Sequence, residues 1–365
     1  MGVRVGVSIM LSLAMILFGA ELFTNAVEWL GRRLGLGQGA VGSVLAALGT
    51  ALPETAVPIT AITFGGGTRE AQDVGIGGIL GAPFLLATLG SFIMAVAVLF
   101  VRRRSLPSLQ VEPASFQRDM TFFLIAYSLA ILFGCVHTEY LKRVVPWVLI
   151  AMYASFLWLT LRDRNQDAGA GPIHPLYFQG KPDAPRLSAV FLQLMLSLAL
   201  IVGGAHLLSG GVEQIAKWLN IPAFVLSALL IPLATELPET LNSVVWIHQG
   251  KDALAAGNIT GAMVFQSTLV PAIGILLTPW RLNMEALLTG GLTLAAASFV
   301  FGMFLLRQTL SPSVLLCASL LYWVLPLQAL ALRYDAHVVY WAGGALAGVM
   351  MLLALAMSAR YRSQP

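Results

Sequence analysis

Charge is scarce in this chain: Asp, Glu, Lys and Arg make up 10% of its 365 residues, against 58% hydrophobic residues. With a mean hydropathy of +0.82, that scarcity excludes a water-soluble globule and describes an integral membrane protein. Cysteine is almost missing. Cys135 and Cys317 each stand alone in an apolar run, which suits small packing residues and leaves no disulfide framework or thiolate metal cluster. No stretch alternates polar and apolar residues as a membrane β-barrel does, so backbone hydrogen bonds must close within helices. Aspartate is absent from the centres of the apolar segments; Asp73, Asp119, Asp252 and Asp335 all fall near their boundaries. An intramembrane enzyme built on an aspartate pair therefore lacks its groups. The basic residues are not interleaved with aromatics, so the net charge of +4 is a topology signal and not a nucleic-acid footprint.

A membrane-spanning helix needs about 20 apolar residues, and eleven candidates follow: 6–30, 38–64, 74–101, 119–137, 144–161, 187–209, 222–247, 254–279, 284–306, 312–332 and 337–358. If spans alternate in direction, seven Lys and Arg lie on the amino-terminal side and the other fourteen on the opposite side. The amino terminus is expected outside, with the central linker and the carboxyl terminus cytoplasmic. Residues 162–186 form the one long polar, Gly/Pro-rich passage and divide the chain into a first unit at 1–161 and a second at 187–332, followed by 333–365 with an extra helix. Within that linker Leu176-Tyr177-Phe178-Gln179-Gly180 resembles part of a protease tag site. His174-Pro175 stand where such a tag carries Glu-Asn, and the segment is read as native.

The two units are written on one plan. Thr50-Ala51-Leu52-Pro53-Glu54-Thr55 returns 185 residues later as Thr235-Glu236-Leu237-Pro238-Glu239-Thr240, and the same offset superimposes Gly19-Ala20-Glu21 on Gly204-Ala205-His206. This internal match also argues against the first span being a removable signal peptide. Five spans separate equivalent helices, and five is odd, so the copies should run in opposite directions through the bilayer. The expected fold is an all-α integral membrane protein of two inverted-topology repeats, five transmembrane helices each, plus the extra carboxyl-terminal helix.

Each copy sets a carboxylate beside a proline deep in hydrocarbon, where ionisable groups are costly and usually face an interior pathway. Proline has no N–H and clashes with the carbonyl four residues earlier, so Pro53 and Pro238 should loosen the carbonyls of Gly49 and Ala234. Thr50 precedes Glu54 by one turn, and Thr235 precedes Glu239 likewise, so hydroxyl, carboxylate and freed carbonyl share a face. Such an all-oxygen environment suits a hard cation, and two carboxylates would balance the double charge of Ca²⁺. One such motif alone could be a proline kink beside a protonated packing residue; two related copies favour a site. Downstream, Gly77-Gly78-Ile79-Leu80-Gly81-Ala82 and Gly257-Asn258-Ile259-Thr260-Gly261-Ala262 form a second pair. Their glycines suit close helix packing at least as well as ligation; Asn258 and Gln266 are the stronger ligand candidates, because buried amides need partners.

At these residues the chain resembles the cation/calcium antiporter superfamily, in particular its sodium/calcium exchanger branch. There two inverted halves each carry a Gly-Thr-Ser-Leu-Pro-Glu-like segment on the second helix and Gly-Asn-x-x-Gly-Ser-Asn on the third. The resemblance covers roughly 6–101 and 187–279. It implies that Glu54 and Glu239 are the central cation (metal) ligands, that Thr50 and Thr235 supply backbone carbonyls, and that the first and sixth helices slide as a gate. Glu21, Glu28, His206 and Glu213 are the polar residues of those two helices and fit bundle-lining or interfacial contacts better than ligation. The chain departs from the pattern where family serines become Ala51, Glu236, Ala82 and Ala262, and where the third-helix motif ends in Leu86 or Gln266. Several hydroxyl ligands for sodium are thus missing, and Glu236 adds a third carboxylate that opens proton coupling.

The expected activity is secondary antiport of Ca²⁺ against Na⁺ or H⁺ by alternating access, with inorganic cations as substrates, the lipid bilayer as solvent, and no cofactor. The nearer alternatives are a cation channel on the same acidic site and a transport-inactive homologue; an intramembrane enzyme is the remote one.

Overall fold

The computed structural model describes residues 2–33, 51–100, 108–136, 138–163, 174–179, 185–334, 345 and 348–349. Among these the regular structure is helical: α1 (Gly2–Arg33), α2 (Leu52–Phe64), α3 (Arg69–Leu85), α4 (Ser91–Phe100), α5 (Pro113–Val136), α6 (Glu139–Asp163), α7 (Leu187–Leu219), α8 (Ala223–His248), α9 (Asp252–Leu277), α10 (Met284–Arg307), α11 (Pro312–Ser319) and α12 (Val324–Tyr334). A π-helical turn at Leu86–Gly90 joins α3 to α4, and a 3₁₀ turn at Leu320–Trp323 joins α11 to α12. Eight of the resulting helical units are long and apolar enough to cross a bilayer, or nine with the bent α8. The expected spans appear within about six residues of their predicted limits where they are described, except that α7 runs ten residues past the expected 209, to Leu219. Residues 38–50 of the second span, with Thr50, and nearly all of the eleventh lie outside the described residues.

Local chemistry sets the helix ends. The Thr68 hydroxyl accepts from the Ala71 N–H at the start of α3, and Asn283 Oδ1 accepts from the Ala286 N–H at the start of α10, each satisfying a donor that the first turn leaves open. Gly66 and Gly67 take positive φ in the α2–α3 turn, a conformation open to glycine at no steric cost. Asn220 ends α7 in the left-handed region.

The most extensive helix pair is α1 with α7, and it runs antiparallel. A side chain placed on Gly19 would strike Ile201 and the Ser197 carbonyl; one placed on Gly204 would strike Ile16 and the Ser12 carbonyl. Gly19 lies 185 positions before Gly204, and Ile201 and Ser197 lie 185 positions after Ile16 and Ser12, so each helix offers the other the same surface and the contact is reciprocal, as across a two-fold axis. Behind this pair, Ala205, Leu208, Val212 and Ala216 of α7 share a buried cluster with Val57 and Ala61 of α2, Val74 of α3, and Leu226 and Ile231 of α8.

α3 and α8 form the second close pair, and here the glycine motif acts as a packing surface. Gly77 and Gly81 lie against the backbone of Phe224–Ala228, and Gly78 faces the Pro58 ring and Ile231. Tyr127 O–H donates to the Leu80 carbonyl (3.3 Å) and Trp280 Nε1 to the Ala130 carbonyl (2.9 Å), which ties α5 to α3 and to the α9–α10 turn.

The two ends of the bundle differ. On the amino-terminal face, Glu70 and Asp73, Glu213 and Lys217, the α7–α8 turn and Leu332 line an open depression of about 460 Å³. On the opposite face the Leu109 N–H donates to the Leu310 carbonyl (2.8 Å) and the Gln110 N–H to Asp252 Oδ2 (2.9 Å), joining the approach to α5, the α10–α11 turn and the start of α9.

Because Gly77 touches backbone, Gly77→Leu is expected to lower the melting temperature in detergent sharply, at a cost of about 1–3 kcal/mol or more. Gly291, which no atom among the described residues approaches, serves as control: Gly291→Ala should be neutral or stabilise by about 0.5–1 kcal/mol. Equal melting temperatures for both variants would remove the close α3–α8 approach.

Candidate cation site

Glu54 sits in the first turn of α2, with Pro53 inside that turn. There proline costs nothing, since its missing N–H is one the first turn leaves unpaired anyway. The helix beginning at Leu52 thus presents its amino-terminal dipole beside the carboxylate. Glu54 is buried and lies roughly 15 Å from the α2–α3 turn at 1.5 Å per residue, about half the depth of a bilayer core.

In the second copy the proline falls within α8 and bends it: Ala223–Leu237 and Thr240–His248 meet at 41°. A proline within a helix removes one N–H from the backbone ladder, which accounts for a bend at this point. Both copies answer the break alike. The Thr55 hydroxyl donates to the Ala51 carbonyl (2.8 Å), and the Thr240 hydroxyl to the Glu236 carbonyl at the equivalent position (2.8 Å). Thr235 is buried, and its hydroxyl turns back to the Ile231 carbonyl at 3.2 Å. The side chains of Pro238 and Glu239 lie outside the described residues.

Glu236, one residue after Thr235, has no exposed surface, and its Oε1 accepts from Gln266 Nε2 at 2.7 Å. The two residues stand at the middle of α8 and of α9. Gln266 Oε1 finds no donor among the described residues, which leaves a carbonyl-type oxygen buried beside a carboxylate, a hard-cation ligand set. Asn258 is placed differently: its Nδ2 donates to Ser243 Oγ at 3.4 Å, and that hydroxyl reaches the Ala255 carbonyl at 3.4 Å. Asn258 therefore belongs to an α8–α9 contact two turns from Gln266.

Three polar groups escape sequence reasoning. Asp119 looks terminal in the sequence but is buried; its Oδ2 accepts from Thr260 Oγ1 at 2.7 Å and its Oδ1 from Arg118 at 3.2 Å, so it ties α5 to the glycine motif of α9. Gln328 on α12 is buried, with neither side-chain atom bonded among the described residues; a lone amide in an apolar run was its signal. Gln193 of α7 is buried and bonded to α1. Of the polar residues of α1 and α7, Glu21 accepts the hydroxyl of exposed Tyr177 at 2.9 Å, a bond that raises the phenol pKa above its ordinary value. Glu213 lines the depression on the amino-terminal face.

Comparison with known proteins places this geometry. The profile of the sodium/calcium exchanger protein family matches residues 5–162 and 189–359. The chain is 24% identical to the putative antiporter CaxA of Alkalimonas amylolytica over 281 residues, covering 76% of this chain and 82% of that one. It is 22% identical to the sodium/calcium exchanger MaX1 of Methanosarcina acetivorans over 302 residues, covering 74% and 82%. Among solved structures, the H⁺/Ca²⁺ exchanger CAX superimposes with a TM-score of 0.71 at 18% identity, covering 98% of this chain and 92% of that one. The sodium-calcium exchanger NCX_Mj superimposes with a TM-score of 0.53 at 18% identity, covering 89% and 98%. Members of this family are transporters, which sets aside the intramembrane enzyme. The chain is a multi-pass integral membrane protein that belongs to the sodium/calcium exchanger family of cation antiporters.

Proposed function

We propose that the protein exchanges Ca²⁺ for Na⁺ or H⁺ by alternating access, with Glu54 and Glu239 as the central ligands and the backbone carbonyls of Thr50 and Thr235 beside them. The observation that carries this is a buried glutamate at mid-depth on a helix whose proline lies at a helix start in one copy and at a 41° bend in the other. An empty site with two ionised carboxylates would be costly to carry through a dehydrated intermediate. Only a loaded or protonated protein should therefore cross between the two open states, and that restriction is what makes exchange obligatory.

Glu236 and Gln266 extend the site. They occupy positions where the resembled pattern carries a serine and another polar residue, and they bring a third carboxylate and an amide oxygen within reach of a second ion. Asn258 supports α8 against α9. The reciprocal α1–α7 contact supports two inverted repeats at 1–161 and 187–332, joined by a linker at 162–186 and followed by an extra helix in 333–365. We assign the amino terminus to the outside and the linker to the cytoplasm from the distribution of Lys and Arg. The proton and calcium in the name of CAX, and the sodium and calcium in that of NCX_Mj, leave both counter-ions in play here.

Reconstitution into vesicles tests the assignment. ⁴⁵Ca²⁺ uptake should follow an imposed Na⁺ or pH gradient, and Glu54→Gln or Glu239→Gln should reduce it at least tenfold; parental uptake in both variants would defeat the site. Uptake that follows pH but not Na⁺ makes the counter-ion a proton. Uptake that follows the Ca²⁺ gradient alone, with no counter-flux, would make the protein a channel.

Gln266→Leu removes the donor to Glu236, and an unsatisfied buried acceptor costs about 1–3 kcal/mol. Lower thermal stability and a counter-ion half-saturation raised roughly tenfold are expected, since 1.4 kcal/mol is a factor of ten. Counter-ion dependence identical to the parent would detach Gln266 from the site.

A further inference from the structure

A buried polar web lies at the end of the α1–α7 pair where the linker meets it. Gln193 has no exposed surface, and its Nε2 donates to the Leu22 carbonyl and to Asn25 Oδ1, both at 2.9 Å. Its Oε1 accepts the Phe178 N–H at 3.3 Å. From α1, Asn25 Nδ2 and Trp29 Nε1 both donate to the His174 carbonyl, at 3.1 and 2.9 Å. Leu176 is fully buried in a cluster with Ala26, Trp29 and Val190. The linker segment 174–179 is thus threaded into the seam between the end of α1 and the start of α7. Outside that seam, Arg33 donates to the Pro185 carbonyl at 2.7 Å.

The web is present at one end only. Shifted by the 185-residue offset, Asn25, Trp29 and Gln193 correspond to Gly210, Gln214 and Ser8. Glycine has no side chain, serine is too short to span two helices, and Gln214 is exposed. At that end the helices meet through apolar packing such as Ile9 against Gly211. Apolar contacts can slide with little loss, whereas separating the web strands several buried donors and acceptors together. The family match covers 5–162 and 189–359, so the three helix residues of the web fall inside it and the segment 174–179 outside it.

We propose that residues 174–179 form a latch, with Gln193 as its central positioning residue, that makes α1 and α7 one body pinned at the linker face and free to shift at the amino-terminal face. Its effect on transport rests on the exchange function above: a latched pair shifts as a unit over the rest of the bundle, and an unlatched pair loses part of each shift to slippage. The latch acts on the conformational step and leaves the ligands untouched.

Two measurements on the full chain in lipid nanodiscs and vesicles test this. In hydrogen–deuterium exchange, the amides of 177–179 should be protected in the parent and lose protection at least tenfold in Gln193→Leu and in Trp29→Phe, the latter keeping the ring while deleting one bond. Unprotected amides in the parent, or protection unchanged in both variants, would overturn the latch whether or not the protein transports calcium. In ⁴⁵Ca²⁺ exchange, the two variants should lose threefold or more of the maximal rate with the half-saturating Ca²⁺ unchanged, while Gln214→Ala at the opposite end matches the parent. A maximal rate equal to the parent's once protection is lost, or an equal loss in Gln214→Ala, would overturn the coupling role. A parent without exchange would instead count against the proposed function and against the latch's part in it, leaving the protection result to stand by itself.

Discussion

A carboxyl group held in hydrocarbon must find its partners inside the protein, because no water is there to supply them. Much of the polar architecture follows from that constraint. Glu236 accepts from Gln266 across the α8–α9 interface, Asp119 accepts from Thr260 across α5 and α9, and Gln193 divides its amide between α1 and the linker. The first joins consecutive helices and the other two join helices far apart in sequence, so satisfying a polar group and assembling the bundle are one event. Among the described residues the interhelical side-chain bonds are few, and most of the remaining contact is apolar, as expected where lipid competes equally for every leucine.

Small residues decide where helices come close enough for those bonds to form. The crossing of α1 and α7 at Gly19 and Gly204 brings Leu22 and Asn25 within reach of Gln193, and the Gly77 and Gly81 surface of α3 seats α8 tightly. Against this packed frame the proline motifs are points of interruption. One starts a helix and the other lies where one bends, and in both the next residue is a glutamate. An ion pathway needs such interruptions, because unbroken helices keep their carbonyls for themselves.

The two copies are related without being equal. The same offset carries Ala51 to Glu236 and Asn25 to Gly210, so the second copy holds the extra carboxylate while one end of the α1–α7 pair holds the polar web. The first difference makes the two copies unlike at the middle of their motif helices, and the second makes the two ends of the α1–α7 pair unlike.

Much of this was legible in the sequence. Low charge and long apolar runs dictate helices in a bilayer, since hydrocarbon leaves no other way to satisfy the backbone, and most described spans begin and end within about six residues of their expected limits; α7, which continues ten residues past 209, is the exception. The repeated Leu-Pro-Glu-Thr identified the buried glutamate of the first copy, because an ionisable group beside a proline in an apolar run has few structural uses. The partners of each polar group were a matter for the tertiary structure. Asp119 looked like a boundary residue until Thr260 came to it from α9, and Asn258 turns its amide nitrogen to Ser243, a partner that no spacing in the sequence names. Gln193, like Gln328, shows in the sequence as a lone amide in an apolar run, but periodicity reports only which face of a helix is apolar and says nothing of which distant carbonyl that amide will meet.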